Sequence, residues 1–350
     1  GGSPEPDEHL FFSHVFIGLG LKYLYSHFPG YPWYGLYHYA IHFVSMIILL
    51  YAILNLSFTI TRFIFFLVYF AVIELFFLNN LQFTITAFVA GQSAVFLFLS
   101  FLNKKTIKSW LIIICCIALL IISSMVRPQS FRLITIVSSP IMAIFFFENV
   151  KNSNIVLKYV LFYSLVFIST FYLEIYNKSY FNNGPRYKDF VLFNELKSRF
   201  IDWNYITYND DTKRIFDKVG WSKNDFFMFS SWFFADKELF SIEKIREIAD
   251  NFPKYNTNIS IGYVAGTFIK KLYLMILPII VSIFFIIYVP LNKQNILAIA
   301  ASFLLVGTIM LYLIVFLKLP LRVYHPMFSC LLYTSPSPRD LSTSRMPSSA

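Results

Sequence analysis

FTITAFVAGQSAVFLFLSFLNKKTIKSWLIIICCIALLIISSMV, from Phe83 to Val126, decides the class of this protein. It contains two apolar runs, Phe83 to Leu102 and Ser109 to Val126, separated by a short connection carrying Lys104, Lys105 and Lys108. Each run approaches the roughly 20 helical residues that cross a hydrocarbon core of about 30 Å. A helix is required there because every backbone polar group in lipid must find its partner within the chain.

Runs of the same kind extend in both directions: Leu36 to Leu56, Phe63 to Leu78, Leu133 to Phe147, Val156 to Ile175, Leu272 to Val289 and Ile296 to Leu317. The expectation is therefore an all-α, polytopic transmembrane protein with about eight spans. The Leu133 to Phe147 run is short and contains Pro140, so half of a re-entrant hairpin is the alternative there. Pro278 is expected to kink its span by removing one helical hydrogen bond. Composition agrees with this class. The chain is 57% hydrophobic, 20% aromatic and only 14% charged, more apolar surface than one soluble core can hide. The net charge of +10 does not indicate nucleic acid, since the basic residues lie in short loops or beside acids. Cys115 and Cys116 are adjacent within an apolar run, which excludes ordinary metal-ligand spacing.

The last residues read differently. Cys330 to Asp340 is CLLYTSPSPRD and Ser344 to Ala350 is SRMPSSA, with Leu341 to Thr343 between them. In that order the three parts resemble a translated sequencing-library adapter with its variable index. Residues 330–350 are accordingly expected to be non-native and an unpacked coil. The native sequence is expected to stop near Ser329, and the amino end, which begins at Gly1, to be truncated as well.

Orientation follows from the excess of Lys and Arg in cytoplasmic loops. Placing Lys104, Lys105 and Lys108 inside also places Arg62, Lys151, Lys158 and Lys293 there. Arg127, Arg132, Lys318 and Arg322 then fall outside. The expected organisation is an outer loop with an N-terminal interfacial helix (1–35), a six-helix membrane region (36–176), an extracytoplasmic helical loop domain (177–265), and two further spans (266–329). In the amino-terminal segment the helix is placed from His9 to His27, lying in the outer interface, with Tyr31 to Tyr39 as an aromatic belt. In the loop domain Pro185 opens a helix, Asp210 to Val219 stops at Gly220, Ser222 and Asp225 form a capping box, and Ser241 caps Ile242 to Asp250.

The alternation of outer loop, interfacial helix, six spans, large helical loop and further spans resembles the GT-C glycosyltransferases. The texture of SPEPDEHLFF and LPLRVYHP is similar to that of membrane proteins from bacterial surface-polysaccharide clusters. The resemblance implies a bacterial cytoplasmic-membrane enzyme that transfers a sugar from a polyprenyl-phosphate donor to a glycan acceptor. A flippase or transporter for lipid-linked glycans, or a noncatalytic membrane scaffold, are the alternatives.

Such a transfer needs a carboxylate to accept the acceptor's proton and cations to stabilise the leaving phosphate. Asp7 and Glu8 are expected as the catalytic acids, although the matching acids of the family lie just after a span that would precede Gly1. Arg127, Arg132, Arg322 and His325 are expected to bind the lipid phosphate, with at least two of the three arginines sharing one outward-opening cavity with a carboxylate from Asp7, Glu8, Glu74 or Glu174; interfacial snorkelling is the alternative. Glu74 and Glu174, each near the same surface, are expected to snorkel or to face a polar pocket. Within Asn79 to Thr86, helix capping is the expected role of the polar groups. A divalent metal is compatible with this chemistry, but the sequence shows no ligand cluster. His38 and His42 have i, i+4 spacing without an evident third ligand, and the histidines are expected at the interface.

Overall fold

A computed structural model describes residues 5–56, 60–102, 107–183, 185–202, 205–253, 260–276, 279–280, 293–317 and 319–333. All of its regular elements are helical. They are α1 (Val15–His27), α2 (Trp33–Leu56), α3 (Ile60–Tyr69), a π-helical turn (Phe70–Glu74), α4 (Leu75–Asn79), α5 (Phe83–Phe101), α6 (Ile107–Val126), α7 (Pro128–Asn149) and α8 (Ser153–Asn182). There follow α9 (Pro185–Ile201), α10 (Lys213–Lys218), α11 (Lys223–Ser230), α12 (Ile242–Asp250), α13 (Ile261–Leu274), α14 (Lys293–Phe316) and α15 (Leu321–Tyr333).

Among the described residues, 7 segments are long and apolar enough to cross a membrane: Trp33–Asn55, Arg62–Asn79, Phe83–Phe101, Ser109–Val126, Pro128–Asn149, Ser153–Asn182 and Ile296–Phe316. The eighth expected span, Leu272 to Val289 with Pro278, lies largely outside the described residues. The re-entrant alternative for Leu133 to Phe147 is corrected by a continuous helix of 22 residues, which starts at Pro128 and runs through Pro140. Pro128 stands at the first helical position, where its missing N–H costs nothing.

One compact unit comprises Gly1–Asn177, Lys271–Thr308 and Pro320–Ala350. Its centre is α5, which packs against α2, α6, α7 and α15. Ala87, Ala90, Gly91, Ser93 and Ala94 let these neighbours approach closely, as small residues do between membrane helices. A Cβ added at Gly91 would stand 2.6 Å from Ile134 Cδ1 and 3.0 Å from Ser123 Oγ. The Ser123 hydroxyl donates to the Ala87 carbonyl at 2.7 Å, tying α6 to α5.

Side-chain pairs fix the direction of the helices. Tyr51 stacks on Phe101 at one end of α2 and α5, while His38 bonds Thr86 near the other. At the first end, buried Lys158 donates to the Leu102 carbonyl and the Ser109 hydroxyl. At the second lie Arg127 and the start of α7. The starts of α6 and α8 therefore share one end with the last residues of α5, and Arg127 lies at the opposite end. Lys104 and Lys105 themselves are outside the described residues.

The first helix begins at Val15, later than His9, because the His14 ring accepts from the Phe16 N–H and caps it. Here the chain is tied down: His14 N–H donates to the Met125 carbonyl at 2.7 Å and Ser13 Oγ to the Val126 carbonyl at 2.9 Å. These bonds satisfy carbonyls that the last turn of α6 leaves open.

The second compact unit comprises Lys178–Lys270 and Ile309–Leu319. Its core is aromatic. Trp221 is 1% exposed, contacts Phe200, Phe216, Phe229 and Phe240, and donates its indole N–H to the Leu239 carbonyl at 2.8 Å. Ser222 and Asp225 form a reciprocal capping box, and Ser241 accepts from the Lys244 N–H. Gly220 has φ +78, the left-handed conformation that glycine adopts without strain. α10 begins at Lys213 rather than Asp210 because Asn209 and Thr212 bond each other's backbone N–H in a turn. The expected coil from Cys330 is corrected at its start, since the α15 backbone stays helical to Tyr333; residues 334–350 lie outside the described residues.

Candidate functional site

The polar groups of the first unit gather near the Arg127 end of the bundle. Arg127 is the residue between α6 and α7, extended in backbone and without a capping side chain. Its guanidinium lies 4.2 Å from the centroid of the Phe12 ring and 5.0 Å from that of Phe83, and those two rings stack on each other at 5.2 Å. Stacking of this kind suits the flat, delocalised arginine cation. The edge of the guanidinium is not satisfied, because Nη1 is buried and has no hydrogen-bond partner. Burial, and secondarily the positive charge of Arg322, pulls the Arg127 pKa down to about 10. The group remains cationic at neutral pH, in surroundings that disfavour its charge.

Arg322 is exposed on α15. One turn along, His325 stacks on Phe76 at 4.8 Å. Its Nε2 is buried without a hydrogen-bond partner, and burial, then the charge of Lys271, lowers its pKa to about 4.

Arg322 is close enough to Arg127 for its charge to act there, whereas Arg132 is placed apart from both. Arg132 turns to Glu174, with Nη2 donating to both carboxylate oxygens at 3.0 Å. That pair heads a cleft of about 360 Å³ whose lining includes Leu120, Phe131, Phe162, Val166 and Phe171 but neither Arg127 nor Arg322. Arg132 pairs with a partly exposed carboxylate, whereas Arg127 lies against two aromatic rings.

Asp7 and Glu8 are placed on the segment that Ser13 and His14 dock to the end of α6. Asp7 Oδ1 accepts from the His9 N–H at 2.9 Å and lies 2.7 Å from His9 Nδ1. Lys22 Nζ donates to Glu8 Oε2 at 2.7 Å. The segment rests directly on α1, for a Cβ at Gly18 would fall 1.8 Å from the Glu8 carbonyl oxygen. Asp7, Glu8 and His9 present ligand atoms within 4.8 Å of one another, a spacing compatible with one divalent cation. The three residues are consecutive in the sequence, but adjacency alone does not show that their ligand atoms face one point.

Glu74 takes the second of its two expected settings, facing polar side chains inside the bundle. It does not snorkel; it is 0% exposed and lies 2.6 Å from His42 Nδ1. His42 Nε2 lies 3.1 Å from Thr86 Oγ1, and His38 Nδ1 lies 2.8 Å from the same hydroxyl. His38 and His42 are each 1% exposed, which corrects their interfacial placement. Thr86 also corrects the capping expectation for its segment, although Asn80 does cap by donating to the Phe76 carbonyl.

Comparison with known proteins finds no matching family model, no matching curated protein and no matching solved structure.

Proposed function

We propose that this chain is a membrane glycosyltransferase that takes a sugar from a polyprenyl-phosphate carrier, with Arg127 and Arg322 receiving the carrier's phosphate. The observation that supports it best is the Arg127 guanidinium, which is charged, lies against two stacked aromatic rings and is left with a buried unpartnered Nη1. A second cation nearby raises the cost of that charge, and a phosphate oxygen would relieve both through charge-assisted hydrogen bonds.

The chemistry then assigns the other groups. The acceptor oxygen forms a bond to the anomeric carbon as the C–O bond to the carrier breaks, and the electron pair of the broken bond stays on the phosphate, where two cations stabilise the developing charge. Asp7 or Glu8, on the segment docked beside Arg127, accepts the proton that the acceptor hydroxyl loses. The apolar cleft below Arg132 and Glu174 suits a hydrocarbon chain. Orientation toward the outside, bacterial surface-polysaccharide assembly and the identity of the acceptor rest on the sequence resemblance.

The test is incubation of the full chain in nanodiscs with a radiolabelled hexose on a polyprenyl monophosphate and a glycan acceptor. Label appearing in glycan, with release of polyprenyl phosphate, supports the reading. Movement of the intact lipid between leaflets without bond cleavage replaces it with a flippase, and absence of binding, transfer and movement refutes it.

A further inference from the structure

The buried residues Glu74, His42, Thr86 and His38 form an unbroken chain of side-chain contacts at 2.6, 3.1 and 2.8 Å. The chain joins three elements: α2 contributes both imidazoles one turn apart, the π-helical turn contributes the carboxylate, and α5 the hydroxyl. A π-turn inserts one residue into a helix and re-aims its side chains, a feature frequent at functional sites. Here its last residue is Glu74.

Both ends of the chain are open. Glu74 Oε2 and His38 Nε2 are buried and have no hydrogen-bond partner, and neither does Ser45 Oγ, one turn beyond His42. A purely structural network is expected to close its polar ends, because each unsatisfied buried group costs about 1–3 kcal/mol. Two open ends on a chain of groups that can each accept and donate a proton need another account.

We propose that these four side chains are a proton relay that takes up one proton at His38 and delivers it to Glu74. The chain has two states in which every internal link is a hydrogen bond. In one, His38 Nδ1–H donates to Thr86, the Thr86 hydroxyl donates to His42 Nε2, and His42 Nδ1–H donates to the Glu74 carboxylate. His38 Nε2 then carries a bare lone pair, and the chain carries one negative charge. A proton arriving at that lone pair lets each N–H or O–H hydrogen move one place along. Glu74 becomes a carboxylic acid donating to His42 Nδ1, His42 Nε2–H donates to Thr86, Thr86 donates to His38 Nδ1, and His38 Nε2 is protonated. One proton has entered, all three internal links are kept, and the net charge is zero. The Gln82 carbonyl, 3.1 Å from Thr86 Oγ1, is the alternative acceptor for the hydroxyl and is released when the hydroxyl serves the relay.

The entry side is the Arg127 end of the bundle. His38 lies one turn from Tyr34, which is 40% exposed and meets the His38 ring edge-on at 4.9 Å, while Tyr37 lies against it at 4.0 Å. The elements packed against α2 and α5 carry Lys22 on α1, Tyr69 on α3, Cys116 on α6, Arg127 before α7, and Arg322 and His325 on α15 as titratable or charged groups. None is bonded to the four relay residues. For a sugar transfer, the relay would serve as a sink for the acceptor's proton, but the inference stands on the geometry of the chain and holds for any activity.

The experiment is infrared difference spectroscopy on the full chain in nanodiscs across a pH titration. The expected result is a single protonated-carboxyl C=O band that rises as pH falls and is lost in Glu74→Gln. Thr86→Val keeps side-chain volume but cuts the relay, and it should change the proton affinity read from that band by about tenfold, the worth of one hydrogen bond to a charged group. Thr86→Ser should restore it. A second measurement needs no variant. Imidazole 15N NMR of the wild-type chain should show His38 Nε2 passing from bare to protonated with the same midpoint as the Glu74 band. A Glu74 band independent of pH, an unchanged midpoint in folded Thr86→Val, or different midpoints for His38 and Glu74 would each overturn the relay.

Discussion

Arg127 offers a prediction in which stability and ligand binding move in opposite directions. The fall of its pKa from 12.5 to about 10 corresponds to a penalty of about 3 kcal/mol on the charged form. The rings of Phe12 and Phe83 return part of it, about 2 kcal/mol for a desolvated cation–π contact. Arg127→Met keeps an unbranched apolar stem against the rings and removes both terms, so the folded chain should be unchanged in stability or more stable by up to about 1 kcal/mol. Binding of a short prenyl monophosphate should weaken by about ten- to a hundredfold, since a hydrogen bond to a charged partner contributes about 1.5–3 kcal/mol. Arg127→Lys should recover only part of that loss, because an ammonium neither stacks flat nor presents two parallel N–H groups. The assay is calorimetric titration of the full chain in nanodiscs, together with its thermal midpoint without ligand. A variant that loses more than about 2 kcal/mol of stability and binds the phosphate as well as wild type would show that the guanidinium is a structural group, and would refute the reasoning.

Gly18→Ala places a Cβ against the backbone of Glu8 and should detach the segment bearing Asp7, Glu8 and His9, seen as faster proteolysis there with the rest of the chain intact. Gly91→Ala should destabilise the packing of α5 against α7 by about 1–3 kcal/mol, with Ile134→Val relieving part of the loss because the clashing atom is the far end of that side chain. In the second unit, Trp221→Ala removes a buried ring and strands the Leu239 carbonyl, at a cost of about 3–5 kcal/mol, measurable as loss of protease resistance across Lys178–Lys270. Cysteines placed at Lys213 and Lys237 should react with an impermeant thiol reagent on intact cells while one at Lys105 does not; the reverse pattern would invert the orientation derived from the basic loops.

Much of the helical framework was legible because hydrophobic run length and helix caps are local signals. The Phe83 to Val126 stretch needed no neighbour to be read as two membrane helices, and Ser222 with Asp225 announced α11 through two side chains three residues apart. The re-entrant alternative at Pro140 arose from judging a helix by its apolar run alone. α7 starts at Pro128, so its polar first turn had been counted as loop. The arginines show where local reading ends. Arg127 and Arg132 look equivalent in sequence, yet one meets aromatic rings from distant segments and the other a carboxylate on α8.

The buried chain was harder to read for a different reason. His38 and His42 carried their i, i+4 signal openly, but Thr86 lies 48 residues from the first of them and Glu74 lies 32 from the second. Glu74 by itself reads either as a snorkelling acid near a helix end or as one facing a polar pocket, because an ordinary α-helix through Phe70 to Leu78 leaves its facing undetermined by any apolar stripe. The π-turn sets that facing, and nothing in the residues FAVIE marks a π-turn. What the sequence did offer was a conflict: one carboxylate, two imidazoles and a threonine within membrane-length runs, each costly when taken alone. A bilayer raises the penalty on every such group, so their occurrence in neighbouring spans is itself a reason to look for one site that joins them. The same reasoning applies to Arg127. It stands between two spans with no acid in adjoining sequence, and the folded chain supplies aromatic faces and a second cation in place of a counter-ion. In both places the fold holds ionisable groups without closing their hydrogen bonds, and in both the missing partner has a defined chemistry: an anion at the arginine and a proton at the histidine.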